Sequence, residues 1–263
     1  MRIDVWLVEK GHAPSRQKAQ ELIASGRVGL ANGSDLKPIK KPSFTVDSSN
    51  EERIQVATHD GPEFVSRGGQ KLYGASQQFS VSFQGCAVLD VGISTGGFAD
   101  CALQLGASHV VGLDVGHGQL AAKLQSDPRV KLFEGVNARD LGTAGEMREK
   151  ILAANAGRKF DIVVIDVSFI SLKMVIPAIA GFISETGRLV ALVKPQFEVG
   201  REGLGRGGIV KDAKLYVGVE SAIRDVCASS GLKVESYGES PILGSDGNRE
   251  FFIYATVPQL GLF

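Results

Sequence analysis

The amino-acid sequence predicts an α/β protein with a largely parallel sheet, preceded by a small α+β domain. From residue 86 onward, short apolar segments of strand length alternate with longer segments of helical periodicity. This alternation is typical of a parallel sheet with helices on both faces. The connection before the last strand is too short for a helical crossover, so that strand should run antiparallel to its neighbour. We expect a small domain at 1–60, a linker with a leading helix at 61–85, and the main domain at 86–263.

The main domain should follow the order of a doubly wound sheet. Strands are expected at residues 86–91, 109–114, 130–134, 160–165, 187–193, 232–238 and 250–257. Helices are expected at roughly 97–105, 117–125, 139–154, 171–182 and 212–229. Such a sheet with a final antiparallel hairpin is the Rossmann-like architecture of class I methyltransferases, which is therefore the predicted fold.

Composition and charge limit the functional classes. Lys plus Arg and Asp plus Glu are balanced at 29 each, so net charge gives no argument for a nucleic-acid partner. Residues 1–41 nevertheless hold eight basic against four acidic side chains, which makes this end locally basic. Three widely spaced cysteines predict neither a disulfide framework nor a metal site and fit a reducing compartment. No stretch resembles a signal peptide or a membrane span, so we expect a cytoplasmic protein.

A glycine-rich stretch, Val88–Phe98, is the centre of the predicted main domain. A buried strand ending in glycine and turning into a helix presents free backbone N–H groups at the carboxyl edge of the sheet. The glycine spacing differs from the dinucleotide fingerprint, which disfavours NAD. An acid at the strand end, Asp90, suits a ligand with a positive centre, so we expect S-adenosylmethionine; an ordinary tight turn is the alternative. The predicted cofactor contacts in this stretch are Asp90, Gly92, Ser94, Thr95 and Gly97.

Further predicted cofactor contacts follow the next three strands. Asp114 ends the second strand, where doubly wound sheets place the acid that binds a ribose; a carboxylate that caps the next turn is the alternative. Asn137 follows the third strand and can reach an adenine edge, although Asn is also a common turn residue. Asp166 ends the fourth strand and should face the cofactor. Phe169 packs against the cofactor or belongs to the core.

Two lysines and a second carboxylate should join Asp166 at this edge. Lys194 leaves the fifth strand into a cleft, where partial desolvation favours the neutral amine; a lysine that extends to solvent is the alternative. Lys71 lies early in a predicted helix, where it opposes the helix dipole. Glu250 opens the antiparallel last strand, so it lies at the same edge as the ends of the parallel strands. The sequence thus brings two lysines and two carboxylates together.

A loop rich in glycine, residues 200–208, follows Lys194. Its composition predicts a mobile lid, and its two arginines, Arg201 and Arg206, can contact RNA phosphates. A loop that is flexible without a binding role is the alternative.

The first 60 residues predict a small RNA-binding domain. Helices are expected around residues 3–7 and 16–25, followed by a strand from Val28 with a tight turn at Asn32-Gly33 and a strand at 54–56. The segment resembles the alpha-L domain named after the fourth protein of the small ribosomal subunit. The resemblance implies RNA binding, whereas the residues alone equally fit a solvated basic face. The candidate phosphate contacts are Arg2, Arg16, Lys18, Arg27, Lys40 and Lys41.

The whole chain is similar to the TlyA family of ribosomal RNA 2′-O-methyltransferases. The resemblance is carried by the stretches that begin at Asp90, Asp114, Asp166, Leu192 and Asp246. Ile93 and His117 stand where the family is expected to have Ala and Tyr, and neither change removes a needed functional group. The catalytic part resembles the FtsJ/RrmJ enzymes, whose Lys-Asp-Lys-Glu tetrad corresponds by motif to Lys71, Asp166, Lys194 and Glu250.

The resemblance implies S-adenosylmethionine-dependent methylation of ribose, in cytidine, within ribosomal RNA, with ribosomal RNA or a ribosomal subunit as partner. Three alternatives stand beside this hypothesis. The family is also described as haemolysins, although no transmembrane or strongly amphipathic helix is predicted here. A small-molecule methyltransferase would not need the basic N-terminal segment. A pure RNA-binding module would not need Asp90, Asp114 and the lysine–carboxylate set together.

Overall fold

The structure, a computed structural model, describes residues 1–24, 26–32, 35–56, 62–142, 145–244 and 246–259. It divides into two compact units, Met1–Pro62 and Glu63–Phe263. The expected helix end at residue 25, the turn at residue 33 and the boundary between the small domain and the linker, residues 57–61, lie outside the described residues.

The small unit combines two helices with a three-stranded antiparallel sheet. Helices α1 and α2 pack their apolar faces on a core that includes Ile3, Leu7 and Ile23. The sheet order is β2-β1-β3. Strand β2 was not among the expected strands; it ends in Pro38, which is tolerated because β2 is an edge strand. The elements are α1 Ile3–Glu9, α2 Arg16–Ala24, β1 Val28–Asn32, β2 Asp35–Pro38 and β3 Ile54–Val56.

The large unit contains a seven-stranded sheet in the order β6-β5-β4-β7-β8-β10-β9. Strand β10 pairs antiparallel with both of its neighbours, and the pairs formed among β4 to β8 are parallel. The predicted architecture with a final antiparallel strand is confirmed. The strands are β4 Ala87–Val91, β5 His109–Asp114, β6 Val130–Glu134, β7 Phe160–Ile165, β8 Ile183–Val193, β9 Lys233–Glu239 and β10 Phe251–Thr256.

Helices cover both faces of this sheet. One apolar cluster joins a sheet face to α3 and α4, and another joins the opposite face to α6, α7 and α8. The central strand β4 is buried along its whole length. The carboxyl ends of the parallel strands therefore form one continuous edge, where ligands of open α/β sheets bind. The helices are α3 Arg67–Gln78, α4 Gly97–Gln104, α5 Ala122–Gln125, α6 Glu146–Ala153, α7 Leu172–Ile179 and α8 Leu215–Ser229.

Three expected helices are shorter than predicted. The helix expected at 117–125 begins only at Ala122, because the Asp114 carboxylate binds the Gly116 N–H and Gly118 has a positive φ of 66°. The helix expected at 139–154 is a 3₁₀ turn followed by α6, which begins after Gly145. Helix α8 begins at Leu215. Among the described helices, none combines the length and the apolar character required to cross a bilayer.

Candidate active site

Three strand ends bring polar side chains to the carboxyl edge of the large sheet. Asp166 follows β7, Lys194 follows β8, and Glu250 precedes β10. Since β8 pairs with β10 through Val193 and Phe251, Lys194 and Glu250 leave neighbouring strands at the same level. Parallel pairing of β7 with β8 places Asp166 on the other side of Lys194. The antiparallel course of β10 is thus what allows a residue at a strand start to join residues at strand ends.

Helix α3 delivers the fourth side chain, Lys71. Its first turn lies so close to the start of α4 that a Cβ atom on Gly97 would be 2.3 Å from Ser66 Oγ and 2.8 Å from the Gly69 amide nitrogen. A side chain on Gly69 would in turn clash with Phe64. These glycines permit the close approach that brings α3 against the glycine-rich loop.

The two lysines and two carboxylates form two ion pairs. Lys71 Nζ lies 2.6 Å from Glu250 Oε2, and both side chains are buried. Lys194 Nζ lies 2.6 Å from Asp166 Oδ1 and donates a hydrogen bond of 2.8 Å to Ser168 Oγ. Asp166 Oδ1 has no aligned donor, so its contact with Lys194 is an ion pair without normal hydrogen-bond geometry. The structure therefore brings all four predicted catalytic side chains to one edge.

Two adjoining cavities open at this edge. The larger, of about 340 Å³, is lined by Asp114, Asn137 and Phe169 together with the glycine-rich loop. The smaller, of about 170 Å³, is lined by Lys71, Lys194 and the loop. The loop residues Thr95 and Gly97 line only the smaller one. Four residues line both cavities: Gly92, Ser94, Asp166 and Ser168.

The loop after β4 adopts a conformation that suits a closely bound ligand. Gly92 has a φ of 86°, and a Cβ atom there would lie 2.4 Å from the Asp166 carbonyl oxygen. Ser94, with a φ of 46°, donates its backbone N–H to Asp114 Oδ2 at 2.7 Å. The Gly116 N–H donates to Asp114 Oδ1, also at 2.7 Å. Asp114 is therefore held in place by two backbone groups while it lines the larger cavity.

Asp90 occupies a different place from the one expected. Its carboxylate is fully buried and lines neither of these two cavities. Neither oxygen has a hydrogen bond of normal geometry, although the Ala99 N–H is a favourable neighbour. Burial raises the pKa of Asp90 well above its ordinary value, and the nearby Asp166 carboxylate raises it further. Asp90 therefore lies beneath the loop, and its direct contact with the cofactor stays a prediction.

Phe169 and Asn137 both line the larger cavity. The Phe169 side chain is 90% exposed, so the core alternative is wrong. Its φ of 63° is unusual for a bulky residue, and its ring lies 5.2 Å from the Phe197 ring. Asn137 Oδ1 accepts a hydrogen bond from the Arg139 N–H at 3.3 Å, so this residue also supports the following turn.

Three polar residues near the site were missed by the sequence analysis. Ser168 lies between Asp166 and Phe169 and contacts Lys194. Glu198 accepts hydrogen bonds from Ser171 Oγ at 2.5 Å and from the Leu172 N–H at 2.8 Å, and burial raises its pKa. Asn248 is 2% exposed and binds the 200–210 loop. In the sequence these residues were marked only by their closeness to a motif. Their hydrogen-bond partners are distant in the chain or belong to no recognisable pattern.

The glycine-rich loop at residues 200–208 carries Arg201 and Arg206 on its surface. It is folded into short 3₁₀ turns with a bridge between Leu204 and Val210, and its role as a mobile lid stays a prediction. The Gly205 N–H donates to the Ile209 carbonyl at 2.7 Å. Internal hydrogen bonds thus replace the irregular conformation that its glycine content suggested.

The predicted RNA-contact residues of the small unit fall into three groups. Arg2 and Arg16 bind the buried Asp4 carboxylate, although about half of each guanidinium side chain stays exposed. Lys40 and Lys41, with other residues, line a shallow cleft of about 440 Å³. Both lysines are exposed. The half-buried members are Lys18 and Arg27.

Comparison with known proteins agrees with this geometry. The model of the FtsJ-like methyltransferase family matches residues 64–256, and that of the S4 domain matches residues 1–52. The chain belongs to the FtsJ-like methyltransferase family. The predicted enzyme class is confirmed, and with it the cofactor S-adenosylmethionine.

Relatives within this family cover nearly the whole chain. The 16S/23S rRNA (cytidine-2'-O)-methyltransferase TlyA of Mycobacterium tuberculosis is 41% identical, over 96% of this chain and 88% of its own length. Hemolysin A of Brachyspira hyodysenteriae is 36% identical, over 97% and 99%. The solved structure of a candidate hemolysin from Streptococcus thermophilus is 34% identical, with a TM-score of 0.71 and coverage of 98% and 89%. The predicted resemblance to the TlyA family is confirmed.

The chain's own residues fit the cofactor. Gly92 lets the loop pass close to the Asp166 backbone, where a side chain would clash, and Asp166 lines both cavities. A negative group there suits a positively charged sulfonium. The larger cavity is also within the size range of small-molecule sites.

Proposed function

We propose that the protein methylates a ribose 2′-hydroxyl of cytidine in ribosomal RNA. The observation that carries this proposal is the pair of lysine–carboxylate contacts where the two cavities meet. Lysines and carboxylates at a cofactor junction suit proton transfer from an alcohol. The name of the Mycobacterium tuberculosis relative supports cytidine in ribosomal RNA as the substrate. An enzyme acting on ribosomal RNA works in the cytoplasm.

The larger cavity is the proposed cofactor site. S-adenosylmethionine supplies an electrophilic methyl group on a positively charged sulfur. Asp114 would accept hydrogen bonds from ribose hydroxyls through the lone pairs that its two backbone donors leave free. Asn137 would bind the adenine edge, and Phe169 would pack on its face. Asp166 would face the sulfonium, and the loop from Gly92 to Gly97 would follow the methionine part.

Lys194 is the proposed proton acceptor. A ribose hydroxyl is a poor nucleophile, so it must lose its proton as the new bond forms, and general base catalysis contributes about 10²- to 10⁴-fold. As the base, Lys194 would take that proton on Nζ, and Lys71 lines the same smaller cavity. Asp166 and Ser168, at 2.6 and 2.8 Å, hold Nζ in place and stabilise its charge afterwards. Glu250 holds Lys71 in the same way.

The small unit is the proposed RNA anchor. Its lysines and arginines would neutralise phosphates of a ribosomal RNA or ribosomal subunit, which makes binding dependent on salt. Arg201 and Arg206 would add contacts next to the catalytic edge.

The test is methylation of ribosomal subunits that lack the modification, with a radiolabelled cofactor. A 2′-O-methyl group blocks alkaline cleavage of the adjoining phosphodiester, so the label should remain in an alkali-resistant dinucleotide that contains methylcytidine. Label in a base, or only in small molecules, would contradict the proposal. Dye release from liposomes without any methyl transfer would favour the membrane-active alternative instead.

A further inference from the structure

Three of the proposed catalytic residues stand where the strands of the sheet meet their connections. Asp166 begins the connection from β7 to α7, Lys194 begins the one from β8 to α8, and Glu250 ends the one from β9 to β10. The last backbone hydrogen bonds at this edge of the sheet include two of these residues: the Asp166 N–H donates to the Val91 carbonyl, and the Glu250 carbonyl accepts from the Ser240 N–H, both at 2.9 Å. The sheet thus places the backbones of these residues, and contacts between the connections hold the segments that continue from them.

Glu198 joins the first two connections. Hydrogen bonds from the Phe197 N–H to the Lys194 carbonyl and from the Glu198 N–H to the Pro195 carbonyl, both of 2.9 Å, form a tight turn. This turn fixes Glu198 relative to Lys194. The Glu198 carboxylate then accepts hydrogen bonds from Ser171 Oγ and the Leu172 N–H at the start of α7. The segments that carry Asp166 and Lys194 are thereby held together.

Asn248 joins the second connection to the third. Its Oδ1 accepts a hydrogen bond from the Val210 N–H at 3.1 Å, and its Nδ2 donates to the Gly208 carbonyl at 3.1 Å. Its own carbonyl accepts a hydrogen bond from the Gly244 N–H at 2.9 Å. A Cβ atom on Gly244 would lie 2.6 Å from Glu250 Oε1. Asn248 thus connects the arginine-bearing loop to the turn that encloses the Glu250 side chain.

We infer that Glu198 and Asn248 are positioning residues, which align the three connections so that both lysine–carboxylate pairs form at the cofactor junction. This inference rests on the proposed function. Neither residue lines the two cavities, so both act through other residues rather than on substrate. Asn248 has a second effect, because it fixes the loop that carries Arg201 and Arg206.

The chain offers a matched control at the opposite edge of the sheet. Asn155 is 3% exposed, and its Nδ2 donates to the Arg158 and Lys159 carbonyls at 3.0 and 2.9 Å. Its Oδ1 lies 3.0 Å from His109 Nε2. It is therefore a buried amide with at least as many hydrogen bonds as Asn248, but it lies at the amino ends of the strands. Its removal should lower stability without moving the catalytic residues.

The test compares Asn248→Ala, Glu198→Ala and Asn155→Ala in the full chain, all assayed below their melting temperatures. We expect all three to melt a few degrees lower than the parent protein. Only Asn248→Ala and Glu198→Ala should lose kcat, by roughly 10- to 100-fold, as expected for a small misplacement of catalytic groups. Affinity for S-adenosylmethionine, from calorimetry, should stay within about threefold of the parent. Asn248→Asp, which keeps the acceptor for the Val210 N–H, should recover part of the rate.

Limited trypsin digestion gives a readout that does not depend on RNA methylation. Cleavage after Arg201 and Arg206 should be faster in Asn248→Ala than in Asn155→Ala or Glu198→Ala. Equal kcat in all three variants, or unchanged cleavage of the loop in Asn248→Ala, would overturn the inference. If the parent protein methylates no ribosomal RNA, the proposed function fails, while the digestion pattern still decides whether Asn248 fixes the loop.

Discussion

Each unit contains a fully buried aspartate, and the two have opposite environments. Asp4 in the small unit accepts hydrogen bonds from Arg2, Arg16 and Gln20 at 2.9 to 3.1 Å. The Arg2 guanidinium holds the pKa of Asp4 well below its usual range. Asp90 in the large unit has no normal hydrogen bond, and burial raises its pKa. Asp4 is covered by its own partners near the surface, whereas Asp90 lies within the central strand.

The difference separates structural from functional polar groups. Asp4 accepts four hydrogen bonds, all from side chains of its own unit, so we assign it a role in the stability of that unit. Two carboxylates of the large unit differ from Asp4: Asp90 has no partner of normal geometry, and Asp166 has an unaligned ion pair beside two cavities. Unsatisfied buried groups are unfavourable for folding. Asp166 lines both cavities, so a bound ligand can offset this cost there, whereas Asp90 lines neither cavity.

The largest effect on the reaction rate should come from Lys194→Ala, which removes the ion-pair partner of Asp166. Without a proton acceptor, kcat should fall about 10³-fold, equivalent to about 4 kcal/mol of activation free energy. Affinity for S-adenosylmethionine and the melting temperature should change little, because Asp166 remains partly exposed. Radiolabel transfer to ribosomal subunits measures the rate, and calorimetry measures the affinity.

Lys173→Ala is the control, because Lys173 is an exposed lysine at the start of the neighbouring helix α7. It should leave kcat within about twofold of the parent, well inside the range set by general base catalysis. An undiminished rate in Lys194→Ala would end the assignment of this residue as the base. A large loss of melting temperature would instead make the Lys194–Asp166 pair structural, like the Asp4 cluster.

A smaller effect, on stability alone, is expected for Asp4→Ala. The free energy of unfolding of the small unit should fall by about 2 kcal/mol, because the hydrogen bonds to Asp4 are lost. The loss stays moderate because water can solvate the arginines once their shared acceptor is gone. Trp6 is the only tryptophan in the chain, and it is buried in this unit with Nε1 bonded to Glu51. Its fluorescence in the full-length protein therefore reports on the small unit.

The pH dependence of this unit has a defined sign. A depressed pKa in the folded state means that Asp4 contributes stability above its unfolded pKa of about 3.9, and that this contribution is lost as pH falls through the folded value. The parent should therefore lose Trp6-reported stability in acid more steeply than Asp4→Asn. Equal slopes would show that Asp4 does not stabilise the small unit in this way.

The comparison also explains which features were predictable from the sequence. Asp166, Lys194 and Glu250 stand at strand ends, and strand ends follow from apolar periodicity together with sheet topology. Lys71 followed from motif resemblance. Burial of Asp90 beneath the loop was not predictable. The alternation of residues along a strand places a side chain on one face of the sheet, but it does not tell how far that side chain lies from the surface. Exposure of Phe169 was also missed, since it depends on a left-handed backbone conformation that only a tertiary environment imposes.

The roles of Glu198 and Asn248 were missed for another reason. Each joins segments separated by many residues, and a hydrogen bond between loops leaves no periodic signal in the sequence. The 200–208 loop shows the same limit: its glycines indicate freedom, whereas the Asn248 side chain and internal hydrogen bonds determine its fold. Local patterns thus predicted the elements, and long-range polar contacts set the loops.

A modest effect on RNA affinity is expected for Lys40→Ala combined with Lys41→Ala. These lysines line the cleft of the small unit, so their loss should weaken binding of ribosomal RNA about 3- to 10-fold at low salt and reduce the salt slope by about 2. The Trp6-reported melting should not change. Arg16→Ala is the contrasting variant: it also lowers the melting temperature, because Arg16 belongs to the Asp4 cluster. A lower melting temperature of the small unit without weaker RNA binding in the double lysine variant would contradict this prediction.

The smallest effect is expected for Asp90→Asn, and it depends on pH. A raised pKa means that Asp90 contributes stability below its unfolded pKa of about 3.9 and that this contribution is lost as pH rises through the folded value. Asparagine imitates the neutral acid, so the variant should melt close to the parent at pH 5 and gain on it as pH rises to 8. Calorimetric melting of the large unit measures this trend, which is opposite in sign to that of Asp4. A variant that loses stability relative to the parent as pH rises would mean that Asp90 is ionised and paired in the folded protein, and the contrast between the two aspartates would disappear.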